Sequence, residues 1–170
     1  MKKLLTVAVT LAIILSCTAL KAEDDKSVGK GDWLVNGAVD VNRIWGGGVG
    51  GRTTFGFAVE TGYFVLDYLM PEVKFNVLVT EGYNSELFTA GVRGYWNKKT
   101  PLLPYARLNV GVGSVKSGSR YTAFALNPGL GVDYLIFKNV AIGLQANYTA
   151  YIRSSTSHQF DFPISFSIYF

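Results

Sequence analysis

Phe160-Asp161-Phe162-Pro163-Ile164-Ser165-Phe166-Ser167-Ile168-Tyr169-Phe170 is the stretch whose reading decides the fold. Phe160, Phe162, Ile164, Phe166, Ile168 and Phe170 fall on one parity, and Asp161, Pro163, Ser165, Ser167 and Tyr169 on the other. Successive side chains of a β-strand point to opposite faces, so one face here is apolar throughout and the other mostly polar. Such a strand needs an apolar medium on one side only. A soluble core could supply it, but the sequence runs out at an aromatic residue with nothing beyond to cover that face. Lipid is therefore the expected medium.

The same alternation recurs upstream. A first strand is expected over about 32–44, with Trp33, Val35, Gly37, Val39 and Val41 opposed to Leu34, Asn36, Ala38, Asp40 and Asn42. Further strands are expected over 54–65, 69–80, 88–96, 105–113, 126–134 and 140–149, before the terminal strand. Tight turns fall at Leu66-Asp67-Tyr68, at 97–101 and at Phe137-Lys138-Asn139. Longer loops are expected at 45–53, 81–86, 116–120 and 153–158. The 19 Gly, with 10 Tyr and 11 Phe, and the lack of a helical period past Glu23 favour an all-β domain. Eight segments of about 10 to 12 residues, alternating short turns with longer loops, fit an eight-stranded antiparallel up-and-down transmembrane β-barrel with a side-chain-filled lumen.

Charge placement fixes which face meets lipid. Glu60, Glu72, Lys74, Arg93, Arg107 and Asp133 all lie on the polar parity of their strands. A soluble lipocalin-like barrel would show the reverse, with apolar residues inward and charges outward. Ions confined to a narrow bore must pair, because an unpaired buried charge costs several kcal/mol. The up-and-down order sets Lys74 opposite Glu60 and near Arg93, offers Glu72 as a second partner for Arg93, and lets Arg107 approach Asp133. One linked ion-pair network is expected in the lower to middle lumen, filling the bore. The competing reading is a charged constriction of a small pore. Trp33, Tyr63, Trp96, Tyr134 and Phe170 project outward near one end and fit an interfacial aromatic girdle. Four prolines sit awkwardly in this scheme. Pro71 and Pro104 lie near strand starts, whereas Pro128 and Pro163 should mark bulges or lost ladder bonds.

These features are similar to those of the small outer-membrane β-barrels of Gram-negative bacteria, the OmpA transmembrane domain/OmpX-like family. The resemblance spans the alternating segments, the run Asn127-Pro128-Gly129-Leu130-Gly131-Val132-Asp133-Tyr134 and the terminal Phe170. It implies a multi-pass integral protein of the bacterial outer membrane, surrounded by lipid and lipopolysaccharide and monomeric. It also implies that Phe162, Ile164, Phe166, Ile168 and Phe170 form the signal read by the barrel-assembly machinery during insertion. The chain departs from the family's OmpA member in ending at the barrel, so a peptidoglycan-binding domain is not expected. Its loops are also short for a large protruding sheet.

At the other end, Met1-Lys2-Lys3, the apolar run Leu4 to Leu15 and Ser16-Cys17-Thr18-Ala19-Leu20-Lys21-Ala22 read as a secretory signal. The apolar run is shorter than the ~20 residues a spanning helix needs. The expected organisation is a cleaved signal peptide over 1–22, a short periplasmic segment over 23–31 and the barrel over 32–170. Ala19 is a competing cleavage site, and Ile14-Leu15-Ser16-Cys17 loosely resembles a lipoprotein box, with Leu15 bulkier than usual. Loss of Lys2, Lys3 and Lys21 turns 16 Lys and Arg against 12 Asp and Glu into 13 against 12. The pI near 9.1 then carries no argument for a nucleic-acid partner, and none is expected. Cys17 leaves with the signal, which excludes disulfides, thiolate metal sites and a cysteine nucleophile.

Little else points to chemistry. The Gly-rich run 46–51 lacks a Gly-Lys-Ser/Thr ending and a following helix, so it is not expected to cradle a phosphate. The single histidine, His158, neighbours Ser157 in an extended segment. Adjacent residues there point apart, and a Ser/His pair for lipid A modification, as in some outer-membrane enzymes, is not expected. His158 is read as a solvated loop residue. No cofactor and no metal site are expected. Arg52, Lys116, Arg120 and Arg153 in the outer loops are candidate contacts for lipopolysaccharide phosphates, where guanidinium forks suit the geometry. The expected role is non-enzymatic, structural or surface-interacting, with a lipid A-modifying enzyme or a narrow pore as alternatives.

Overall fold

The computed structural model describes residues 28–46, 49–80, 83–96, 100–117, 119–153 and 156–170. Eight strands follow one another: β1 (Trp33–Gly46), β2 (Val49–Tyr63), β3 (Leu69–Thr80), β4 (Tyr83–Tyr95), β5 (Leu102–Ser117), β6 (Ser119–Phe137), β7 (Val140–Ile152) and β8 (Ser157–Tyr169). No helix occurs among the described residues. Each strand pairs antiparallel with the next, and β8 closes on β1 from Leu34↔Tyr169 to Gly46↔Ser157. Closure removes the sheet edge, which is what a backbone surrounded by lipid requires.

The pleat sorts the side chains by polarity in the sense opposite to a soluble barrel. Val39, Phe55 and Ile164 are 67%, 65% and 62% exposed, whereas Glu60, Lys74, Arg93 and Asp133 are at most 1% exposed. The bore holds three layers. Nearest the chain termini is an apolar cluster of Val28, Leu34, Phe64, Met70, Tyr95, Leu103, Tyr105, Ala141 and Tyr169. The far end is filled by Ile44, Leu78, Leu87, Val115, Ala123, Ala125 and Tyr151. The ionised side chains lie between these plugs. Tyr105 fits because Gly131 faces it: a Cβ at Gly131 would come within 2.9 Å of the ring's Cε2. Gly131→Ala is expected to cost about 1–3 kcal/mol through overpacking, read as a lower conversion temperature of the folded band on unboiled gels. An unchanged temperature would show that Tyr105 does not pack there.

The strands are longer than the sequence pattern suggests, running from 12 residues in β3 to 19 in β6. Most of the stretches expected as long loops are ladder. Trp45 and Gly46 belong to β1, Tyr83 to Glu86 to β4, and β5 and β6 stay paired through Lys116↔Arg120 and Ser117↔Ser119. His158 lies in β8, paired with Trp45 and Ala150, not in a loop. Backbone pairing explains the difference: a hairpin continues wherever N–H and C=O groups find partners, whatever the side-chain polarity, and polar composition alone does not end a strand.

Prolines interrupt the ladder without shifting it. The β6–β7 register passes from Leu126↔Ala150 to Gly129↔Asn147, leaving Asn127 and Pro128 unpaired on that side. The Asn127 side chain fills the gap, donating to Tyr148 O (3.2 Å) and Thr149 Oγ1 (2.8 Å). The β7–β8 pairing likewise skips from Leu144↔Ile164 to Asn147↔Asp161 across Pro163. Register shifts occur elsewhere, at Ile44/Gly46 and at Leu135/Phe137.

Residues 28–32, as far as 31 expected to be part of a short segment preceding the barrel, are tied to the barrel's end. Val28 is buried, Gly31 N donates to Phe64 O (2.9 Å), Phe64 N donates to Asp32 O (2.9 Å), and Lys30 N donates to Asp67 Oδ1 (2.9 Å). Gly31 takes φ 96° to make this turn, a conformation that favours glycine. The signal segment and the lipoprotein-box residue Cys17 lie outside the described residues.

Candidate functional site

The middle of the bore is organised around Glu60. Arg93 Nη2 donates to its Oε2 (2.6 Å), Arg107 Nη1 donates to its Oε1 (2.6 Å), and Lys74 Nζ stands 3.5 Å from Oε1. Glu72 carries the second junction, with Arg93 Nε at 2.7 Å, Arg107 Nη1 at 3.7 Å and Asn109 Nδ2 donating at 2.8 Å. Arg93 also lies over the Tyr105 ring, 4.4 Å from its centroid. Two carboxylates thus clamp two guanidiniums and an ammonium, each fully removed from water. Glu60, Glu72, Lys74, Arg93 and Arg107 form one linked group.

Asp133 makes no direct ion pair with this group and reaches it through the Tyr95 hydroxyl, which accepts from Arg93 Nη1 (3.4 Å). In the β5–β6 register it pairs with Leu103, four positions from Arg107, which pairs with Gly129. Arg107 Nε donates instead to Asn147 Oδ1 (3.1 Å). Asp133 Oδ2 accepts from the hydroxyls of Tyr169 (2.9 Å) and Tyr95 (3.4 Å). The expected approach of Arg107 to Asp133 is corrected accordingly: the offset along adjacent strands is too large for the side chains to meet. Two further carboxylates enter the bore. Asp161 lies 3.7 Å from Lys74 and accepts from Asn147 Nδ2 (2.9 Å), and Asp40 accepts from the amides of Asn42 (2.6 Å) and Asn76 (2.9 Å). Both stand on the polar parity of their strands, which is the signal that would have found them. The bore's middle then holds five buried carboxylates, Asp40, Glu60, Glu72, Asp133 and Asp161, against three buried cations.

The outer wall carries aromatic residues at both ends. Trp33, Tyr63, Trp96, Tyr134 and Phe170 are all exposed and lie at the terminal end, with Trp33 against Tyr63 at 5.1 Å and Trp33 and Phe170 exchanging backbone bonds. Phe162, Ile164, Phe166 and Phe170 face outward, but Ile168 is only 5% exposed, between Val35 and Val140. At the far end a second cluster spans three strands: Trp45 and Tyr148 flank His158 (5.9 and 5.8 Å) and Phe160 (5.3 and 5.2 Å). The Tyr148 hydroxyl lies 2.5 Å from His158 Nδ1. Ser157 is buried toward the bore while His158 sits on the outer wall, so the two side chains do not meet. Among the described residues no group of three His, Cys, Asp or Glu side chains could hold a metal ion.

Of the basic candidates at the far end, Lys116 is exposed on β5, and Arg153 is exposed just past β7 with its guanidinium 5.4 Å from the centre of the Tyr121 ring. The backbones of Arg52 and Arg120 lie in β2 and β6, and their side chains fall outside the described residues.

A closed cylinder with an apolar wall and an ionised, plugged interior defines a transmembrane barrel of the bacterial outer membrane. The chain belongs to the outer membrane protein beta-barrel domain family, whose pattern matches residues 7–168. Among solved structures it is similar to Neisserial surface protein A, with 17% identity and TM-score 0.69 over 82% of this chain and 99% of that one. It is also similar to OprG from Pseudomonas aeruginosa (13% identity, TM-score 0.63, 86% of this chain and 99% of that one). The third is Ail, the attachment invasion locus protein of Yersinia pestis (12% identity, TM-score 0.58, 82% and 99%). At these identities the likeness concerns the fold. No curated protein sequence matches the chain.

Proposed function

We propose that the protein is a non-enzymatic, monomeric integral component of the outer membrane with a structural or surface-interaction role. The observation that carries this reading is the sealed bore: ion pairs in its middle layer and apolar side chains at both ends. Charges held this way hold one another, and none is presented to a substrate or a passing ion. The separation of Ser157 from His158 argues against acyl transfer through that pair, since a nucleophile must reach its base.

The surfaces left for interaction are the outer wall and the far rim. In this reading the short turns face the periplasm, as is usual for such barrels, and the rim bearing Lys116 and Arg153 faces outward, with Arg52 and Arg120 in the same end's hairpins. These four cations are proposed to meet lipopolysaccharide phosphates. The aromatic ring of Trp33, Tyr63, Trp96, Tyr134 and Phe170 would mark the inner interface, and the terminal strand would be the segment engaged during assembly.

Reconstitution into planar bilayers and into lipopolysaccharide-containing vesicles tests the reading. No stepwise conductance and no change in the acyl composition of lipid A by mass spectrometry are expected. Discrete single-channel steps, or acyl loss or gain that disappears in His158→Ala, would replace it with the pore or the enzyme.

A further inference from the structure

We propose that Arg43, Trp45, Tyr148 and His158 form a binding site on the outer wall of the barrel for the phosphorylated sugar headgroup of an outer-leaflet glycolipid. The inference rests on the proposed lipopolysaccharide-facing orientation and names a site on the wall, separate from the four rim cations.

Arg43 is the anomaly that carries it. It lies on the apolar parity of β1, exposed, between Thr53 of β2 and Phe160 of β8. Among the described residues it makes no hydrogen bond or ion pair. A cation on a lipid-facing wall is costly at the membrane centre and tolerable only near the interface. Its height meets that condition. Ten residues separate it from Trp33 of the terminal aromatic level, which at ~3.3 Å per residue and a tilt of about 40° is about 25 Å along the barrel axis. That is the height of the apolar band, so the guanidinium sits at the outer boundary, where lipid phosphates begin.

The neighbours of Arg43 complete a headgroup site. Phe160, cross-strand from it, stacks on Trp45 and packs tilted against Tyr148, and these two rings flank His158 on the side away from the membrane centre. The guanidinium offers a planar fork that takes a phosphate through two parallel charge-assisted hydrogen bonds. The Trp45 and Tyr148 rings offer amphipathic faces of the kind that settle at membrane interfaces. With the Tyr148 hydroxyl on His158 Nδ1, the ring's Nε2 is left with no partner among the described residues and is the polar atom available to a sugar hydroxyl. Cation, ring faces and a hydrogen-bonding nitrogen on three adjacent strands match a phosphorylated sugar better than a simple phospholipid, which needs only the cation.

The full-length mature protein, refolded in nanodiscs, tests this with three probes: lipopolysaccharide, the same lipid enzymatically dephosphorylated, and phosphatidylglycerol. Native mass spectrometry reads retained lipid, and unboiled gels confirm that each variant is folded. Arg43→Gln is expected to weaken lipopolysaccharide retention about tenfold, the loss of roughly one charge-assisted hydrogen bond, with little effect on the dephosphorylated lipid. Arg43→Lys should recover part of that loss, and Tyr148→Ala or His158→Ala should lower retention of both glycolipids. Equal retention by Arg43→Gln and the unaltered protein would overturn the proposal. So would phosphatidylglycerol binding as tightly as lipopolysaccharide. If Lys116→Ala/Arg153→Ala abolishes retention while Arg43→Gln does not, the rim reading stands and the wall site falls. If neither matters, both fall.

Discussion

Glu60→Gln is expected to destabilise the folded barrel by about 3–5 kcal/mol, the cost of removing one partner from a buried ion pair. Glu60 joins cations from three different strands, Lys74 of β3, Arg93 of β4 and Arg107 of β5; its loss leaves Arg93 one carboxylate, Glu72 at 2.7 Å, and leaves Arg107 and Lys74 only Glu72 and Asp161, each at 3.7 Å. Apolar clusters at both ends of the bore hold its middle away from bulk water, so solvation there is a poor substitute for the lost carboxylate. Asp40→Asn is the matched control. Asp40 accepts only from neutral amides, and the Oδ1 of Asn76 has no hydrogen-bond partner. An amide at position 40 could donate to that oxygen, so a change within about 1 kcal/mol is expected. Urea unfolding in phospholipid vesicles measures both. Equal losses in the two variants would show that Glu60 is not the junction of the network.

Val39→Arg is expected to cost about 2–4 kcal/mol, the penalty for a cation on the lipid face at mid-bilayer. Val39 is 67% exposed, flanked by Phe57 and Ile164, and midway along β1 between Trp33 and Trp45. Folding yield into vesicles and the urea midpoint report the effect. The native Arg43, one strand turn from the outer aromatic level, is the internal comparison: an arginine is tolerated where its head reaches the interface and not four residues below. Full tolerance of Arg at position 39 would contradict the placement of hydrocarbon around the wall.

Much of the wall was legible in the sequence, and less of the interior. The expected bounds 69–80 coincide with β3, since Val73, Phe75, Val77 and Val79 alternate cleanly against Glu72, Lys74 and Asn76. Hairpin tips were misjudged, because Lys116, Ser117, Ser119 and Arg120 and the pair Ser157-His158 look like loop by composition yet continue the ladder. The outer aromatic cluster was missed for the same reason: with Trp45 and His158 assigned to loops, their shared face with Tyr148 and Phe160 could not be seen.

Within the bore, neighbouring-strand reasoning found Glu60 opposite Lys74 and Glu72 with Arg93. It misplaced Arg107, which crosses the bore to Glu60 on β2, and left Asp40 and Asp161 out. Sequence alone determined which side of each strand is greasy, because the two-residue period is set by local covalent geometry. Closure of β8 onto β1 decided which inward side chains meet. Arg107 with Glu60, Glu72 with Asn109 and Tyr169 with Asp133 are contacts between strands that are not adjacent in the sheet, and only the diameter and stagger of a finished barrel bring them together.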